Sequence, residues 1–135
     1  MTEDATTRPD ALSADPDVVS YAAHRDRVHA VARAIHADPE TAFEEQRAHD
    51  RCADLLEEAG FTLERGIAEL PTAFRATLGT GSLVASLCVE YDALPEIGHG
   101  CGHNLIAGAS LGAALALAGA VDELEIGRAS CRERV

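Results

Sequence analysis

The sequence predicts an α/β fold. Two segments carry apolar residues at helical spacing, three short segments read as strands, and a seventeen-residue stretch without a charge follows them. Together these are the elements of helices packed on a sheet. At 135 residues the chain has the size of one domain, or of a fragment of one.

The first helix starts at Asp15-Pro16, where a carboxylate can cap free amides and proline suits the first turn. It is expected over about 16–37. Tyr21, His24, Val28, Val31, Ala32 and Ile35 form its apolar stripe, and Arg25, Arg27 and Arg33 lie off it. Residues 1–17 are polar and acidic enough to stay disordered. Asp38-Pro39 breaks the helix, and a second is expected over about 40–59, with Phe43, Ala48, Cys52, Leu55, Leu56 and Ala59 on one face and Gly60 as its C-cap. Glu40, Glu44 and Glu45 suit the first turn through the helix dipole, a capping role rather than a chemical one.

Strands are expected at 61–63, 73–78 and 83–89, the last two joined as a tight hairpin through Gly79, Thr80 and Gly81. The run LVASLCV is apolar on both faces, as in a central strand of a covered sheet. Leu105 to Val121 only touches the lower length limit of a membrane span, so it is read as a buried helix, with Asn104 placed to cap it. Cys52 and Cys88 read as small buried hydrophobes, Tyr91 as packing, and His24, His29 and His49 as surface or edge residues.

Composition narrows the function. Twenty-three Asp and Glu against eleven Arg give a formal charge of -12, which disfavours nucleic acid and anionic membranes as partners. The N-terminus lacks the basic and apolar regions of a signal peptide, so a cytoplasmic location is expected, with Cys52, Cys88, Cys101 and Cys131 as thiols or ligands. The end of the chain differs from the rest: IGRASCRERV packs three arginines and a cysteine into ten residues without periodicity. It back-translates onto the reverse complement of a widely used sequencing adapter, so residues 125–135 are read as a read-through scar. That leaves 18–124 as the domain to be read.

The chemistry concentrates in EYDALPEIGHGCGHN, residues 90–104. Asp92, His99, Cys101 and His103 fall within twelve residues at the end of a strand, where ligands of open α/β sheets gather. Thiolate with imidazole is a zinc or other transition-metal preference. Asp92 can accept a hydrogen bond from a ligating imidazole and so orient it. Glu90 could face the ion. One alternative is a small structural metal-binding module in which Cys88, His99, Cys101 and His103 form a closed tetrahedral set.

EYDALP, GHGCGHN and the small-residue helix after them resemble the zinc amidohydrolase and metallopeptidase superfamily of aminoacylase and carboxypeptidase G. The similarity is to its branch with aminobenzoyl-glutamate hydrolase and aminoacylase-1-like dipeptidases, and IHADPETAFEE at 35–45 resembles that branch's second signature. The resemblance implies that 18–124 is a partial catalytic domain, the N-terminal part of a three-layer αβα zinc-peptidase catalytic domain truncated in this chain. It also implies Cys101 and His103 as ligands of a metal pair, Zn2+ or another divalent ion such as Mn2+ or Co2+, with Cys101 bridging. Asp92 is implied as the orienting group, His99 as a neighbour and His36 as structural. The implied activity is hydrolysis of an amide bond in an N-acyl amino acid, an aminobenzoyl-glutamate-like compound or a dipeptide, by a homodimer. The general-base glutamate and the remaining ligands match no residue here, so the fragment is expected to be inactive.

Overall fold

The computed structural model describes residues 16–133, and the side chains of residues 20–126. The expectation of disorder over 1–17 lies almost wholly outside them. Helix α1 spans Pro16–Ala37, the bounds its sequence signals imply. Its stripe faces inward as expected, with Val28 and Ile35 buried in the core, Tyr21, His24, Val31 and Ala32 partly buried, and the three arginines exposed.

Helix α2 spans Gln46–Glu58 and starts six residues later than expected. Glu40 explains the difference. Its side chain reaches forward, accepting hydrogen bonds from the Arg47 and Ala48 amides at 3.2 and 2.9 Å. The carboxylate therefore caps α2 from a loop instead of from the helix's own first turn. Phe43, expected on the helical stripe, lies in that loop and is exposed. His49, expected at the surface, is buried and packs edge-on against Phe74 at 5.5 Å. Three- and four-residue steps connect it to Cys52, Ala53 and Leu56, so it belongs to the buried face.

Strands β1 (Thr62–Arg65), β2 (Phe74–Leu78), β3 (Leu83–Val89) and β4 (Ile126–Glu133) form one mixed sheet in the order β1-β2-β4-β3. The expected β2–β3 hairpin is not present: β4 lies between them, antiparallel to β2 and parallel to β3. Strand β4 falls in the segment set aside on composition as foreign. Ladder pairing uses backbone groups that every non-proline residue carries, so pairing is indifferent to where a segment's codons came from. Strand β3 is consequently an edge strand rather than a central one. Its inward residues Ala85, Leu87 and Val89 are at least partly buried, while Val84, Ser86 and Cys88 on the other face are exposed. Cys88 is thus no buried hydrophobe, whereas Cys52 is.

Helix α3 (His103–Gly119) connects the parallel pair β3 and β4 as a crossover and packs along α1. Close approach depends on small residues: a Cβ on Gly108 would come within 3.1 Å of the Ala32 Cβ. Side chains from all three helices and from β2, β3 and β4 share one core. No helix among the described residues is long and apolar enough to cross a membrane.

Candidate metal centre

The segment after β3 alternates in burial. Val89, Tyr91 and Ala93 point into the protein, and Glu90 and Asp92 stay half-buried on the opposite side. Tyr91 fixes that phase: its ring stacks on Phe74 at 6.4 Å and its hydroxyl donates to the Thr72 carbonyl. The chain then runs through a turn closed by Leu94 and Gly98, each amide donating to the other's carbonyl at 2.9 Å.

Two glycines in the left-handed region shape the rest of the loop. Gly98 (φ 67°) and Gly102 (φ 83°) adopt a conformation that costs other residues about 1–2 kcal/mol. Gly102 is also the residue from which α3 departs, accepting from the Leu105 and Ile106 amides at 2.9 and 3.1 Å. Asn104, expected to cap the helix, is instead buried in its first turn and donates to the Ala32 carbonyl of α1 at 3.3 Å. The loop is thereby tied to α1. A second tie runs to the segment after α1, where the Ala93 amide donates to the Glu40 carbonyl at 2.7 Å and Thr41 bridges to Ala93. The two signature segments of the sequence are therefore in contact.

His103, the first residue of α3, faces back toward the end of β3. Its Nδ1 lies 2.7 Å from Asp92 Oδ1 and 3.1 Å from the Asp92 carbonyl. Both partners are acceptors, so a neutral ring carries its proton on Nδ1 and its lone pair on Nε2. Glu90 Oε2 stands 3.6 Å from that Nε2. Cys101 is exposed, two residues before His103.

His99 behaves differently. It is 9% exposed, stacks on His36 at 6.3 Å between ring centroids, and makes no well-formed hydrogen bond through either ring nitrogen. Burial pushes its pKa below the usual histidine value; the nearby Ile35 carbonyl opposes the shift, His36 and His103 reinforce it, and Asp92 opposes it. Cys88, His99, Cys101 and His103 do not form a closed set, since among the described residues no three His, Cys, Asp or Glu side chains converge on one ion position. What is present suits part of a metal site: an imidazole oriented by a carboxylate, with an accessible thiol nearby.

No protein-family model matches the sequence. One of the p-aminobenzoyl-glutamate hydrolase subunits of Escherichia coli (strain K12) is 40% identical over 112 residues, covering 70% of this chain and 23% of that protein. The Xaa-Arg dipeptidases of mouse and human are 40% and 39% identical over 110 and 113 residues, each covering 73% of this chain and 25% and 26% of theirs. In fold, the chain is similar to a methicillin-resistant Staphylococcus aureus protein described as a candidate aminohydrolase, with a TM-score of 0.72 and 17% identity over 88% of this chain and 34% of that one. The chain spans about a quarter of the length of the curated relatives it matches. With its mixed α/β fold, the chain belongs to the amidohydrolase and peptidase family that includes p-aminobenzoyl-glutamate hydrolase and Xaa-Arg dipeptidase.

Proposed function

We propose that this chain is the N-terminal part of a metal-dependent amidohydrolase that cleaves an amide bond in an N-acyl amino acid, an aminobenzoyl-glutamate-like compound or a dipeptide. The supporting observation is the 2.7 Å contact between Asp92 and His103 Nδ1, which in the neutral ring puts the lone pair on Nε2. Cys101 and His103 are the residues that would hold Zn2+, Mn2+ or Co2+, with two ions in the full-length protein. Bound metal supplies Lewis acidity toward the amide carbonyl and acidifies a water. Asp92 keeps His103 in the binding tautomer, and Gly102 sets the direction in which His103 leaves the loop. The glutamate that would take the water's proton lies outside this chain, so the 135 residues alone do not turn over. In this reading the full-length protein is a cytoplasmic homodimer acting on small molecules.

The test assays the purified chain with each metal on p-aminobenzoyl-glutamate, N-acyl amino acids and dipeptides, alongside metal binding by equilibrium dialysis. Binding that depends on Cys101 and His103, without turnover, is the expected result. Turnover by the isolated chain would show that no further residues are needed, and absence of binding would remove the metal assignment.

A further inference from the structure

The two edges of the sheet are protected to different degrees. In the order β1-β2-β4-β3, strands β1 and β3 lie at the ends, and among the described residues each leaves backbone N–H and C=O groups on its outer side without a ladder partner. Strand β1 is only four residues long and carries Glu64 and Arg65. Arg75 pairs with Glu64, and Arg65 reaches Asp54 and Glu57 of α2 at 2.8 and 3.1 Å. Shortness and charge are how sheet edges are kept from pairing with other chains.

Strand β3 has neither protection. Its seven residues, Leu83–Val89, hold no charge and no proline. The irregularity in its pairing with β4 falls between Leu83 and Val84, and from Val84 to Val89 the register runs unbroken, so no bulge turns this stretch away. Leu83 and Val84 are 55% and 60% exposed, although both are large and apolar. Helix α3 continues the same surface. Ser110 donates to the Cys88 carbonyl at 2.6 Å, and Ile106 and Ala113, one turn to either side of Ser110, are exposed. No charged residue occurs from Leu105 to Val121.

Charge decides what can cover this surface. With a formal net charge of -12, copies of the chain repel one another, and they do so least where the approaching surfaces carry no charge. The edge of β3 and the α3 flank beside it are such a place. The strand is also complementary to itself. Paired antiparallel about a two-fold axis through Ser86, it sets Ser86 against Ser86 and Val84 against Cys88 of a second copy on the open face, and Ala85 against Leu87 on the helix side.

We infer that β3 pairs antiparallel with the β3 of a second copy of this chain, with the α3 flanks joining the contact. The two four-stranded sheets then form one of eight strands, whose remaining edges are the short, charged β1 strands. None of the residues used here is among those proposed to hold a metal, so a failure of this pairing leaves the metal reading untouched.

The full 135-residue chain is followed by sedimentation equilibrium over a range of concentrations at low and high salt, beside Ser86→Lys, Ser86→Glu and an equimolar mixture of the two. Ser86 is exposed, and circular dichroism melts confirm that the variants fold. The expected result is a monomer–dimer equilibrium that strengthens as salt screens the net charge. Each variant sets like charges against each other at the two-fold axis and should weaken the dimer at least about tenfold. The mixture should recover it, because opposite charges then meet there. A chain that stays monomeric at every concentration overturns the inference, as does a dimer that neither substitution weakens, which would lie on another surface. Association that weakens with added salt would mean that ion pairs hold the copies together, and would equally overturn it.

Discussion

Asp92 Oδ1 lies 2.7 Å from His103 Nδ1, and that contact fixes which imidazole nitrogen is available to a ligand. An asparagine at position 92 can keep the shape but not the charge. If its amide turned an N–H toward the ring, it would favour the tautomer with the proton on Nε2. Asp92→Asn is therefore expected to weaken divalent-metal binding by about 10- to 100-fold with little change in the melt. The check is a metal titration combined with 15N spectra of the His103 ring. An unchanged tautomer and affinity would show that the carboxylate does not orient the ring.

The thiols give an independent view of the same loop. Cys88 and Cys101 are exposed and Cys52 is buried at 0% exposure, so a thiol reagent should label the first two quickly and Cys52 only on unfolding. Added Zn2+ should then protect Cys101 and leave Cys88 reactive, since Cys88 sits on the open face of β3. Peptide mapping resolves the sites. Protection of Cys88 in place of Cys101 would move the metal site away from the loop.

Much of this was readable in the sequence because it depends on local pattern. The bounds of α1 and β3 follow from apolar spacing and from the breakers beside them. The pairing of Asp92 with His103 follows from residue types that need each other. What escaped depends on distant partners. Glu40 caps α2 from seven and eight residues upstream of the amides it binds, a reach that a search for first-turn acids does not detect. The β2–β3 hairpin looked sound because Gly79 to Gly81 suits a turn, yet β4 enters from the far end of the chain. Glu90 was named in the sequence as able to face the site, but its 3.6 Å approach to His103 depends on the position of α3, which the local pattern does not give.

Asp38 offers a test of the contact between the end of α1 and α2. A hydrogen bond from Arg51 holds its carboxyl below the ordinary value of 3.8, burial opposes this, and Arg47 adds to the lowering. For a carboxylate depressed in the folded state, the stabilisation is fully present above the unfolded pKa and is lost as pH falls through the folded one. Stability should therefore fall with acidification below pH 3.8, less so in Asp38→Asn. Carboxyl-detected NMR of Arg51→Ala should show Asp38 titrating at a higher pH than in wild type. A titration unmoved by Arg51→Ala would mean that the ion pair is not formed in solution.

Phe43 separates two accounts of residues 40–45. On the helical stripe expected from sequence, Phe43 would be a core residue, and Phe43→Gly would remove several kcal/mol, as large-to-small core changes cost about 3–5 kcal/mol. In the structure Phe43 is 58% exposed and sits at φ 69°, a left-handed conformation unfavourable for a bulky side chain. Relief of roughly 1–2 kcal/mol of backbone strain is offset by about 0.5–1 kcal/mol from glycine's greater freedom when unfolded. Phe43→Gly should then be neutral or stabilising by up to about 1.5 kcal/mol, raising Tm by up to a few degrees. Phe43→Val should do the reverse, because a β-branched residue tolerates that conformation poorly. The pair of melts is decisive through its signs: a drop for glycine as large as a core truncation would return Phe43 to the interior and extend α2 back toward Glu40.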